Sequence, residues 1–231
     1  MAIDELVFRR KLLTFAELRE LLKNNWEGGE ELRLIARNGI KYYGNDSDRA
    51  DGFMARILNG FADIVRSVDE AHADCPVRFI PGVSTFGRQI EWRYLRSATA
   101  FGYRRGEILS GNASPTPGTD EAGLTAVIRS HCKADLVRQT SGAALDIRVA
   151  GSSLRGEQGI DALAGLIRAF VHLGGFFMQV DTVSAETLRA AAEDPQSYKT
   201  LSVRVSGWNA RFVTLNREWQ EMVISRTEQG M

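Results

Sequence analysis

The chain has 231 residues, 44% of them apolar, enough to bury a sizeable core as one large domain or two small ones. Its 29 lysines and arginines balance 29 aspartates and glutamates, so no net field draws it toward nucleic acid, an anionic membrane or a strongly charged substrate. No apolar run approaches the roughly 20 residues of a membrane span, and the opening Met-Ala-Ile-Asp-Glu lacks the basic and then apolar stretches of a secretory signal; a cytoplasmic location is expected.

Apolar residues recur at helical spacing from Ile3 to Trp26, and Thr14 followed by Glu17 forms a capping box that restarts the helix after Leu13. Gly28 and Gly29 end it. A short helix is predicted over Glu30–Arg37, followed by the turn-rich Lys41-Tyr-Tyr-Gly-Asn-Asp-Ser-Asp48 and a long amphipathic helix from about Arg49 to Ala71. Residues 1–75 thus read as a helical portion. Beyond Cys75 the pattern loosens into short candidate strands near Val77–Ile80 and Gln89–Tyr94, and Ser110 to Asp120 is a long irregular loop, of the kind that lines sites or crosses solvent.

A helix over Leu124–Ser130, a strand over Ala144–Val149, a buried helix over Ile160–Leu173 and a strand over Phe176–Val183 complete a middle segment, 76–183. In 184–231, Ser184 caps a helix over Ala185–Glu193, Leu201–Val205 is a strand, and Asn216 caps a last helix to about Thr227. The second half therefore alternates helix and strand in the manner of βα units, an α/β pattern. Its strands do not add up to a closed barrel, so part of the sheet is expected from another chain.

Few residues are positioned for polar catalysis. Cys75 and Cys132 sit in Asp-Cys-Pro and His-Cys-Lys settings, far apart and without the spacing of a metal site, and read as reduced thiols. His72, His131 and His172 are scattered, without evident triad partners. Gln179 and Asp181 alternate on a predicted strand and so share one face, which makes them candidates for substrate contact if that face lines a barrel. Gly207, where a strand breaks, reads from the residues alone as a turn glycine.

One set of motifs gives Gly207 a different weight. Arg204-Val-Ser-Gly207, with Arg211-Phe212 and the closing Ile224-Ser-Arg-Thr227, is similar to the C-terminal signature of glycyl radical enzymes, Arg-Val-x-Gly-Tyr ending in Arg-Thr. Leu173-Gly-Gly through Val183-Ser-Ala-Glu-Thr-Leu-Arg189, with Pro195-Gln-Ser-Tyr198, resembles the block that precedes it. Lys41 to Asp46 with Asp51, and Ser114 to Asp120 with Thr125-Ala126, match two further family segments in the same order. The Val-Ser-Ala-Glu-Thr wording favours the branch of glycerol and diol dehydratases, choline trimethylamine-lyase and decarboxylases over pyruvate formate-lyase. Trp208 stands where Tyr is usual, and Ala100-Phe-Gly-Tyr-Arg-Arg105 replaces Thr-Pro-Asp-Gly-Arg, so the substrate cannot be carried over from relatives.

The resemblance implies the C-terminal part of a β/α barrel with a finger loop carrying a radical at Gly207, supported by Arg204, Val205, Ser206, Trp208 and Phe212. It implies no bound cofactor or metal in the chain. The radical is installed by an S-adenosylmethionine, iron–sulfur activase. The family completes catalysis with a cysteine in Gly-Cys-x-Glu, and neither Cys75 nor Cys132 matches it. A large partner subunit bearing that cysteine and most of the barrel is therefore expected, in a two-chain lyase or dehydratase acting on a small molecule. A freestanding radical spare part for an oxygen-cleaved enzyme, or a non-catalytic binding domain, are the alternatives.

Overall fold

A computed structural model describes residues 1–85, 91–175, 177–205 and 208–228. The chain opens on a π-helical turn, Asp4–Arg9, then runs through α1 (Phe15–Lys23), α2 (Glu30–Asn38) and α3 (Asp48–Ala71). The capping box is formed: the Thr14 hydroxyl accepts from the Glu17 amide at 3.2 Å, and the Glu17 carboxylate accepts from the Thr14 amide at 2.6 Å. Leu6, Leu13, Leu18, Trp26, Ala36, Ile40 and Ala98 make the first core. Trp26 is 1% exposed, and its indole N–H donates to the Thr99 carbonyl at 3.1 Å, so this core also fixes the strand-poor segment near residue 100.

The candidate strands at 77–80 and 89–94 do not form among the described residues. Residues 77–80 have no regular structure and no ladder partner among the described residues; the Phe79 amide instead donates to the Asp69 side chain at 3.2 Å. Residue 91 is helical and 92–95 form turns, and the rest of that expected strand, Gln89 and Ile90, lies outside the described residues. An isolated bridge between Val83 and Ala143 is the pairing that forms nearby. β-propensity without a neighbour to accept the backbone hydrogen bonds does not make a strand.

After α4 (Leu124–His131) comes a βαβ unit: β1 (Leu145–Arg148), α5 (Gly156–His172) and β2 (Met178–Asp181). β1 and β2 are parallel, with Leu145 opposite Met178, Asp146 opposite Gln179, Ile147 opposite Val180 and Arg148 opposite Asp181. Alternation sends Leu145, Ile147, Met178 and Val180 into a core with Val127, Ile128 and Phe170, and places Asp146, Arg148, Gln179 and Asp181 on the opposite face. The expected burial of α5 is corrected: Gly159 and Phe170 are its buried residues, while Ile160, Ile167 and Val171 are exposed.

The last unit is α6 (Ala185–Glu193), the antiparallel hairpin β3 (Ser202–Arg204) and β4 (Asn209–Arg211), and α7 (Arg217–Glu228). The hydroxyl of Ser184 accepts from the Thr187 amide at 3.2 Å, and Asn216 caps α7 through the Trp219 amide at 3.0 Å. Residues 212–214 form a single 3₁₀ turn. Leu188, Ala191, Val203, Val205, Phe212, Met222 and Val223 form a core separate from that of the βαβ unit.

Candidate functional site

Arg204 is the last ladder residue of β3, opposite Asn209. Beyond it the Val205 amide donates to the Trp208 carbonyl at 2.9 Å. The residues between these two, Ser206 and Gly207, lie outside the described residues. The flanks are well defined. Val205 and Phe212 have no exposed surface and belong to the core of the hairpin unit, whereas Trp208 is half exposed and leans on Trp219, with ring centroids 6.0 Å apart. Val205 and Phe212 thus fasten the two strands, and Trp208 lies at the surface.

Gln179 and Asp181 share a face, and the structure joins them to the hairpin. Arg204 Nε donates to Gln179 Oε1 at 3.2 Å, while Gln179 Nε2 stands 3.3 and 3.4 Å from the two Asp181 carboxylate oxygens. A guanidinium only donates and a carboxylate only accepts, so the two neighbours fix which way the amide points. Gln179 is 8% exposed. Across the sheet its partner Asp146 accepts from Asn112 Nδ2 at 2.8 Å, and Asn112 Oδ1 accepts from the Thr85 amide at 3.2 Å. Five segments distant in sequence meet along this polar face. Asn112 and Asp146 carry no sequence signal of their own, since their role depends on the parallel register.

The long loop from Ser110 to Asp120 packs against this face. Ser114, Pro115, Asp120, Asp146 and Arg148 line a cavity of about 80 Å³, and Ser114 Oγ accepts from the Asp146 amide at 2.9 Å. The loop is packed against the protein and is not a freely solvated crossing. The Tyr43 hydroxyl donates to the Ala113 carbonyl at 2.8 Å, and Asn45 donates to the Thr119 carbonyl. Gly44, at φ +105°, lies where a Cβ would come within 2.6 Å of the Pro115 ring. The sequence blocks at 41–51 and 114–120 therefore interlock.

Near them, Lys133 Nζ reaches Asp46, Asp48 and Asp51 at 2.8–2.9 Å. These hydrogen bonds raise its pKa against the opposing cost of burial. His131 is buried beside Tyr43, its Nδ1 3.1 Å from the hydroxyl. Burial lowers its pKa to about 4, against smaller opposing effects of the Ala113 and Ala143 carbonyls. The Cys132 thiol is pushed up by burial, which makes it a poor nucleophile; Cys75 is unpaired and lies just past α3. Among the described residues no cluster of His, Cys, Asp or Glu could hold a metal ion, and no described helix is long and apolar enough to cross a membrane.

A parallel βαβ unit with a polar face and a separately cored hairpin make an α/β architecture. A family described as "Glycine radical" matches residues 109–213, and one described as "Pyruvate formate lyase-like" matches residues 1–90. The chain belongs to the glycyl radical enzyme family. It is 34% identical over 240 residues to trans-4-hydroxy-L-proline dehydratase of Clostridioides difficile, spanning 99% of this chain and 28% of that protein. It is 34% identical over 232 residues to isethionate sulfite-lyase of Nitratidesulfovibrio vulgaris, spanning 98% of this chain and 27% of that protein. The B12-independent glycerol dehydratase of Clostridium butyricum superposes with a TM-score of 0.88 at 29% identity, over 97% of this chain and 28% of that one. The chain thus spans under a third of the length of the proteins it matches.

Proposed function

We propose that the chain is the radical-storing component of a glycyl radical lyase or dehydratase, with Gly207 as the radical site and the thiyl cysteine supplied by a large partner subunit. The observation that carries the reading is the pairing of a matched radical segment around Gly207 with two cysteines that both lack the Gly-Cys-x-Glu setting. The activase, using S-adenosylmethionine and an iron–sulfur cluster, removes one hydrogen atom from the Gly207 α-carbon. The resulting radical is shared between the electron-donating amide nitrogen and the electron-withdrawing carbonyl, which requires a planar centre that a side chain would hinder. The radical then takes a hydrogen atom from the partner's cysteine, and the thiyl radical so formed takes one from a substrate carbon.

Arg204, Val205, Ser206, Trp208 and Phe212 hold the loop in this reading. Asp181 faces the shared polar side and is the better placed of the two substrate-contact candidates. The dehydratases and sulfite-lyase among the relatives support elimination from a small polar substrate. The match over residues 1–90 favours a subunit over a radical spare part, which requires little beyond the terminal segment. Exposed Ile57, Phe61, Ile64 and Val68 form one stripe of α3, a surface suited to a partner.

Air supplies the test. After anaerobic activation, exposure to oxygen should cut the chain at Gly207 and release a fragment containing Trp208 to Met231, read by mass spectrometry. Gly207→Ala should remain intact. Equal cleavage of both forms, or none in the parent chain once activase competence is demonstrated on another substrate enzyme, would overturn the assignment.

A further inference from the structure

The hairpin unit and the βαβ unit have separate apolar cores, and a polar contact spans the joint between them: Arg204 on β3 to Gln179 on β2. Two hydrophobic surfaces fused into one core would resist separation, whereas hydrogen bonds of this kind are exchanged for water at small net cost. The amide of Gln179 is committed at both ends, with its oxygen to a cation and its nitrogen to the Asp181 carboxylate. Buried on the sheet and already oriented by Asp181, it presents a fixed acceptor to the arginine three residues before Gly207. We infer that Gln179 is a positioning residue, a latch that holds the Gly207 hairpin against β2 and sets how readily the hairpin leaves that seat.

This inference rests on the reading of Gly207 as the radical site, and deepens it. The docked hairpin is the state in which a radical can reach the partner's cysteine, and the released one is the state an activase can reach. The latch therefore opposes activation and protects the product of activation. Its strength is set within this chain, by Gln179, Arg204 and Asp181.

The test separates the latch from the radical. Deuterium exchange at the amides of residues 202–211 is followed in the full chain for wild type, Gln179→Leu, Arg204→Met and the pair together. Each single change should accelerate exchange there about tenfold or more, as for the loss of one hydrogen bond to a charged group, and the double variant should go no further than either. Combining Gln179→Glu with Asp181→Asn preserves an acceptor toward Arg204 and a donor between the two side chains, and should restore the wild-type rate. A purely packing role for Gln179 would not be rescued in this way. If Gln179→Leu accelerates exchange throughout the chain, it has unfolded, and Arg204→Met at its part-exposed site decides alone.

With activase present, the two single variants should also form radical faster and be cleaved by air sooner than wild type. Additive single effects, or hairpin exchange unchanged by Arg204→Met, would overturn the latch. A wild-type chain that gives no radical while the exchange pattern holds would instead overturn the reading of Gly207 and leave the latch standing.

Discussion

Phe212 joins the hairpin to both of its helices. It has no exposed surface and packs in one cluster with Leu188, Val203, Val205 and Met222, so Phe212→Ala should cost about 3–5 kcal/mol of stability. Urea unfolding measures this, and a loss below about 1 kcal/mol would show that the hairpin core does not depend on it. His131 predicts a pH dependence. Its folded pKa is lowered from 6.5 to about 4, so the stability it contributes is fully present above pH 6.5 and is lost as pH falls toward 4, by up to about 3 kcal/mol. The slope of stability against pH in that window should flatten in His131→Leu, whatever that change does to absolute stability; parallel slopes would contradict the assignment. The sequence singled out Phe212 through its motif, but it could not rank His131 above His72. Burial beside Tyr43 and Phe170 arises from segments more than 30 residues away.

At the scale of elements, caps were legible and partners were not. Thr14 with Glu17, Ser184 and Asn216 each mark a helix start that forms as the local chemistry demands. Ser184→Ala should therefore weaken α6, and the hairpin packed on it, by about 1 kcal/mol, seen as a lower unfolding midpoint; an unchanged midpoint would mean that the Thr187 amide finds another acceptor. The expected strand at 77–80 failed because no neighbour pairs with it among the described residues, and the expected burial of α5 failed because one face, that of Phe170, meets the sheet. The polar face was half legible: alternation put Gln179 and Asp181 together. Their opposites Asp146 and Arg148, and the reach of Arg204 across the joint, required the parallel register and the hairpin's seat.

At the scale of the molecule, exposed apolar surface is what the proposal of a docking partner rests on. Ile57, Phe61, Ile64 and Val68 line one side of α3, and Val77, Phe79 and Ile80 are exposed in the segment that follows its end, where Asp69 binds both the Phe79 amide and Arg78. The isolated chain should self-associate and should become monodisperse with a cysteine-bearing partner. Changing Ile57 and Ile64 to serine should improve its solubility alone while weakening that complex, as sedimentation would show. A monodisperse isolated chain whose behaviour is indifferent to these changes would contradict a docking role for α3. The family and its α/β architecture were readable from four ordered motif blocks, because these keep the family's local wording. The substrate was not, because Ala100-Phe-Gly-Tyr-Arg-Arg105 departs from the family's wording in that segment.

The most direct measurement of the central claim is electron spin resonance on the chain, with its partner, after anaerobic incubation with activase, S-adenosylmethionine and a reductant. A doublet from one α-hydrogen, which collapses to a singlet when the glycines carry deuterium at the α-carbon and is absent in Gly207→Ala, is the predicted result. No signal with an activase of demonstrated competence, or a doublet that persists in Gly207→Ala, would contradict it.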